Sequence, residues 1–243
     1  MTTAGALIIG DEILSGKVHD KNSHVLSKVL FERGVRLQSI ETIPDDVDEI
    51  VFRVKHLSKK YDYVFTSGGI GPTHDDKTYA SIAKVFNRQL VYHQETIDAL
   101  SNHLKQKGYD GSVSDARKRM ALLPTPCKII SIANLWVPLV VVDNVYILPG
   151  VPELFELMLF AAKENFSGTK LTRRLVYTHL KEDDIAFLLE EIQCAYPEIA
   201  IGSYPQYRDV GYKVMVSCEG ESQELVCTVA ELICSRVEGF YDV

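Results

Sequence analysis

The amino-acid sequence predicts an α/β protein with a mainly parallel sheet covered on both faces, followed by a small α+β unit of βαββα order. Two observations carry the first part. Short apolar or β-branched runs alternate with stretches of helical periodicity, the pattern of a parallel sheet joined by crossover helices. These runs end in glycine or acidic residues, and a parallel sheet gathers such ends along its carboxyl edge, where ligands bind. A third observation carries the second part: after Gly168 the order becomes strand, helix, two successive strands and helix.

In chain order, "ALIIG" at 6–10 is a strand closed by glycine. "NSHVLSKVLFERG" is a helix with Leu26, Val29 and Leu30 at helical spacing and Gly34 as its stop. "VRLQSIET" is the second strand, and "DDVDEIVFRVKHLSKKY" is a helix whose Val47, Ile50, Val51, Val54 and Leu57 form one apolar stripe. "YDYVFT" is the third strand, feeding a glycine-rich loop and a helix around "DKTYASIAKVF". From Gln94 to Leu123 the chain reads as polar and helical, with one helix ending at Gly108 and another near "SDARKRMALL". "PLVVVDNVYILPGVP" is a hairpin turning at Asp143-Asn144, and "PELFELMLFAAKENF" is a helix with proline in its first turn. The domain boundary falls at about Gly168, giving domains of 1–168 and 169–243. In the second, Ile185, Leu188, Leu189 and Ile192 share one helix face.

Composition narrows the partners. The chain has 243 residues, a net charge of −7 and basic residues scattered along it, so the footprint of a nucleic-acid binder is missing. No apolar run is long enough to span a bilayer, and "MTTAGALIIGDEIL" lacks the basic start of a targeting peptide. Cys127, Cys194, Cys218, Cys227 and Cys234 are odd in number and form no CxxC pair, which reads as reduced thiols in a cytoplasmic protein. The histidines show no zinc-binding spacing.

The sharpest motif is "SGGIGPTHDDKT", which follows the third strand. It lacks the Lys-Ser/Thr pair of a Walker loop, and His74 stands where the third glycine of a dinucleotide fingerprint belongs. What is left is a strand-to-helix loop over Ser67, Gly68, Gly69, Gly71, Pro72 and Thr73 whose free N–H groups, with the Ser67 and Thr73 hydroxyls, can grip phosphate oxygens, while Asp75 and Asp76 supply either acid chemistry or an ordinary helix cap. Gly10, Asp11 and Glu12 follow the first strand, and Asp20 and Asn22 precede the next helix. In "IPDD", Asp45 or Asp46 caps a helix. "LPGVPE" places Pro149 and Gly150 in a rigid turn. Three acidic loops and one glycine loop thus project from one sheet edge, a convergence that capping alone does not explain.

Together, "GDEILSGKVHDKN", "PDD", "SGGIGPTHDDKT" and "LPGVPE" resemble the molybdopterin-binding fold of molybdenum-cofactor biosynthesis proteins and of the N-terminal domain of the CinA competence-damage family. "THDDKT", "AIGSYP" and the small trailing unit look most like the molybdopterin-binding-like N-terminal domain of eukaryotic FAD synthases. The resemblance implies a three-layer α/β domain, a homo-oligomer, and a phosphorylated small molecule as ligand: FAD, ADP-ribose, ATP or molybdopterin. It further implies Asp76 and Asp45 as catalytic residues and a divalent metal, Mg, Mn or Co, with Asp76, Asp75 and Asp11 as its candidate ligands. The expected activity is metal-dependent cleavage of the diphosphate of FAD or a related dinucleotide. Molybdopterin adenylyltransfer and non-catalytic binding are the alternatives. The chain leaves no room for the second FAD synthase domain or the CinA deamidase domain, so it is not expected to synthesise FAD. One departure from the family pattern is Asn134-Leu135-Trp136-Val137-Pro138-Leu139, where relatives carry glycines.

Overall fold

The structure is a computed structural model, and it describes residues 1–208 and 210–241. The chain divides into two compact units, Met1–Gly168 and Thr169–Val243. The first unit opens with β1 (Thr3–Ile9), a short helix α1 (Asp11–Leu14), α2 (Asn22–Glu32), β2 (Arg36–Ile43), α3 (Val47–Lys60), β3 (Tyr63–Ser67) and α4 (Thr78–Val85). It continues with β4 (Gln89–Tyr92), α5 (Gln94–Gln106), α6 (Asp115–Lys118), β5 (Leu122–Thr125), β6 (Lys128–Ile130), β7 (Leu139–Val142), β8 (Val145–Leu148) and α7 (Pro152–Ala162).

The main sheet has the order β2-β1-β3-β8-β7-β6. The pairings β1 with β2, β1 with β3 and β3 with β8 are parallel, and those of β6, β7 and β8 with one another are antiparallel. From β1 the chain steps to β2 on one side and then to β3 on the other. The carboxyl ends of β1 and β3 therefore flank a topological switch point, the place in an open α/β sheet where a crevice forms.

β1 is almost continuously apolar because both faces of the sheet are covered. Ala4 and Ala6 face a core built with Leu26, Val29 and Leu30 of α2 and Phe155, Met158 and Leu159 of α7. Leu7 and Ile9 face the opposite core, with Ile50, Val54 and Leu57 of α3 and Tyr79 and Ile82 of α4. The result is three layers. Leu135 and Trp136, which stand where the family pattern has glycines, pack against the first of these cores beside the buried Val137.

Two stretches differ from the sequence reading. Asp11–Leu14 form a single helical turn, and the polar segment between Gln94 and Leu123 is not helical to its end. α6 is one turn long because Leu122 and Leu123 pair with Tyr92 and Val91, so β4 and β5 make a separate two-stranded sheet. Strand pairing there prevails because it lets Leu123 be buried in the second core. The hairpin is as expected, with Asp143 at φ +53 between β7 and β8.

The second unit comprises β9 (Thr172–Thr178), α8 (Glu182–Ala195), β10 (Ala200–Pro205), β11 (Val214–Gly220) and α9 (Gln223–Arg236). Its sheet has the order β10-β11-β9, antiparallel throughout, so β11 is inserted between two parallel strands joined by α8. Ile185, Leu189 and Ile192 of α8 and Val226, Val229 and Ile233 of α9 cover one face. Among the described residues no helix is long and apolar enough to cross a membrane.

Gly68, directly after β3, has φ +107, and a Cβ there would run into the carbonyl oxygen of Ile9. Gly16 also has positive φ, +70, but faces open space. Gly68→Ala is expected to cost roughly 2–4 kcal/mol in urea unfolding, against about 1 kcal/mol for Gly16→Ala. Equal losses would mean that β1 and the glycine loop are not in close contact.

Candidate functional site

Four chain segments meet at the carboxyl edge of β1, β3 and β8, and named side chains fasten them together. Asn22, the first residue of α2, is 6 % exposed. Its Nδ2 donates to Ser67 Oγ at 2.9 Å and to the Gly150 carbonyl at 3.0 Å, joining α2 to the ends of β3 and β8. Ser67 is 3 % exposed, and its hydroxyl also lies 3.4 Å from the Pro149 carbonyl, to which it donates. Ser67 is thus a framework residue and does not offer a free hydroxyl to phosphate, as the sequence had suggested. Asp20, two residues earlier, accepts from the Ser23 amide and hydroxyl at the start of α2.

Asp45 and Asp46 divide two tasks. Asp46 is the cap of α3, accepting from the amides of Asp48 and Glu49 at 2.9 and 3.0 Å. Asp45 is left for the site. Its carboxylate accepts from the Asp11 amide at 3.1 Å, and its carbonyl accepts from the Lys77 ammonium at 2.9 Å. The loops after β1, β2 and β3 are joined through this one residue. Lys77 was not singled out in the sequence because a lone lysine beside two aspartates reads as a solvated charge.

The glycine loop holds the principal surprise. α4 starts at Thr78 and takes no side-chain cap from Asp75 or Asp76. Asp76 instead folds back into the loop, where its carboxylate accepts from the Gly71 amide at 2.6 Å, the Thr73 amide at 2.7 Å and the Thr73 hydroxyl at 2.5 Å. Charge-assisted bonds of this length are the strong ones. A Cβ on Gly71 would lie 2.7 Å from Asp76 Oδ2, so glycine is what lets the carboxylate approach. The donors that sequence assigned to phosphate therefore already hold an anion, supplied by the chain itself. Thr78 completes the loop, donating from its hydroxyl to the Gly68 carbonyl and from its amide to the Gly69 carbonyl, both at 2.9 Å.

The remaining expected residues lie around this frame. Gly10 donates its amide to Ile43 at 3.1 Å, and the Glu12 carboxylate lies so close that a Cβ on Gly10 would meet Oε1 at 2.7 Å. Pro72 is half-buried, and Thr73, Asp75 and Asp11 are exposed. The structure does not gather Asp11, Asp75 and Asp76 into one ligand set. Among the described residues no group of three or more histidines, cysteines or carboxylates could hold a metal ion, and both oxygens of Asp76 are committed to the loop. A resident metal does not fit these side chains as they stand.

Burial raises the Asp45 carboxyl above the usual carboxylate range. The Asp11 amide pulls it back, and the charges of Glu12, Asp11 and Asp75 push it up again. The folded protein thus holds this proton more tightly than the unfolded chain does, so ionisation costs stability as pH rises from about 4 through the raised pKa. Asp45→Asn keeps an acceptor for the Asp11 amide but cannot ionise. Its melting temperature is expected to exceed wild type at pH 7, with the advantage disappearing toward about pH 3.5. A lower melting temperature at pH 7 would contradict this, whereas Asp46→Ala should cost about 1 kcal/mol as a lost cap.

Comparison with known proteins agrees with this architecture. Residues 5–164 match the model of a family described as a probable molybdopterin binding domain, and residues 170–241 match the middle domain of FAD synthase. A Caenorhabditis elegans protein described as a probable FAD synthase is 34 % identical across 99 % of this chain and 51 % of its own length, so the chain spans about half of that relative. A protein of Archaeoglobus fulgidus is 34 % identical across 90 % of both chains. The crystal structure of CinA from Thermoplasma acidophilum, described as of unknown function, aligns with a TM-score of 0.60 at 28 % identity, covering 68 % of this chain and 99 % of that one. The chain therefore belongs to the family of probable molybdopterin-binding domains, with residues 170–241 similar to the FAD synthase middle domain.

Proposed function

We propose that the first unit binds the diphosphate of FAD or a related dinucleotide, or of ADP-ribose, and hydrolyses it. The observation that carries this reading is the Asp76 carboxylate seated on the Gly71 and Thr73 amides: a loop that already binds one oxyanion tightly has the donors to bind another. The relative described as a probable FAD synthase supports a flavin nucleotide as ligand. The family's own description keeps a phosphorylated pterin as the second reading.

On this proposal the incoming diphosphate takes the loop amides and Asp76 is released next to it. The freed carboxylate accepts a proton from water as that water attacks phosphorus. The bond from phosphorus to the bridging oxygen breaks, and two monophosphates leave, with the bridging oxygen on one of them. Asp45, joined to the Asp11 amide and to Lys77, holds the three loops in register and orients the water. A divalent ion, Mg²⁺, Mn²⁺ or Co²⁺, would come with the diphosphate as part of the substrate. Mg²⁺ keeps one or two carboxylates plus substrate phosphates as ligands, and Asp11 and Asp75 are the exposed carboxylates that would meet it.

Incubation of the protein with each ion should yield FMN and AMP from FAD, or AMP and ribose 5-phosphate from ADP-ribose, and EDTA should stop the reaction. Tight binding with no cleavage under any ion would replace hydrolysis by a binding role. Asp76→Asn is expected to lower turnover roughly 10²- to 10⁴-fold, as for a lost general base. Wild-type turnover in that variant would reduce Asp76 to a loop brace.

A further inference from the structure

Resting on the nucleotide reading above, we infer that Asn22 selects the ligand by accepting a hydrogen bond from a sugar hydroxyl of its adenosine half. Both amide protons of Asn22 are used, on Ser67 Oγ and the Gly150 carbonyl. This fixes the side chain, because a flipped amide would set Oδ1 against the Gly150 carbonyl oxygen. Oδ1 is then buried with no hydrogen-bond partner. Buried polar atoms are normally paired, and a pinned acceptor left unpaired awaits a donor.

Asn22 lines a recess of about 40 Å³, shared with Ile8, Ile9, Val18, Ser67 and Gly150. A single water needs roughly 10–15 Å³ by such a measure, so the recess has room for a hydroxyl and its carbon, not for a heterocyclic base. An amide oxygen cannot take a phosphate oxygen, so the group it receives is a hydrogen-bond donor. Ser67 lies in both the recess and the β3 end that leads into Gly68, so the two subsites adjoin. In a nucleotide whose diphosphate sits on the loop, the neutral donors nearest the phosphates are the ribose hydroxyls. FAD and ADP-ribose share the ribose of their adenosine half.

Calorimetric titration of the full chain with ADP, 2′-deoxy-ADP and 3′-deoxy-ADP tests this without requiring turnover. The wild type should bind one deoxy form roughly 30-fold or more weaker than ADP, since a site built to pair a hydroxyl rejects the analogue that lacks it. Asn22→Ala should bind ADP weakly and lose the discrimination. Because that variant also cuts the ties to Ser67 and Gly150, the wild-type series carries the test if it fails to fold. Wild-type affinities within about threefold of one another would place only a water in the recess and overturn the inference while leaving the nucleotide reading intact. A folded Asn22→Ala that still discriminates would overturn it too. Failure of ADP, FAD and ADP-ribose to bind at all would remove the nucleotide reading, and this inference with it.

Discussion

The geometry of the site depends on one interaction, the Asp76 carboxylate held by the amides of Gly71 and Thr73. A glycine-rich strand-to-helix loop exposes amides that need an acceptor, and no helix ladder or sheet edge is available to supply one. Asp76 supplies it from within the loop. Gly71 is glycine because a side chain there would collide with that carboxylate, and Gly68 is glycine because the loop must pass against the end of β1. On the proposed reading the same bonds make the loop a self-masked anion site, kept in shape by the group a ligand would displace.

The sheet order turns this loop into part of a crevice. β1 lies between β2 and β3; the chain leaving β1 passes to α2 on one face and the chain leaving β3 passes to α4 on the other, and the space between is bridged by side chains. Asn22 ties the β3 and β8 ends together, and Asp45 ties the loops after β1, β2 and β3. Asp45 is held at an energetic cost: its carboxyl is partly desolvated amid three other acidic groups, with Lys77 bonded to its carbonyl. Carboxylates placed against their own stability mark functional positions more often than structural ones.

The sequence showed which segments converge because period and turn chemistry are local. The apolar run of β1, the stripe Ile50, Val54 and Leu57, and the Asp143 turn all express rules that act within a few residues. The separation of roles between Asp45 and Asp46 was not legible, since either could cap α3 by spacing alone. Asp76 was read as cap or catalyst because its real partners, Gly71 and Thr73, are fixed by a loop conformation that no periodicity encodes. The strands β4 and β5 are not legible for a related reason: Leu122 and Leu123 follow a helical turn and reveal their strand only through pairing with Tyr92 and Val91 far back in the chain. Asn22 was placed near the site, but its fixed amide and unpaired oxygen are consequences of three segments meeting.

On the proposed reading Asp76 occupies an anion site that belongs to the ligand. Titration of inorganic diphosphate into wild type, Asp76→Ala and Asp75→Asn measures it most directly. Both substitutions remove one negative charge from the same loop, but only the first vacates the Gly71 and Thr73 amides. Asp76→Ala should bind diphosphate at least about tenfold tighter than wild type, while Asp75→Asn changes the affinity by less than about threefold. A folded Asp76→Ala that binds diphosphate no more tightly than wild type would contradict the account.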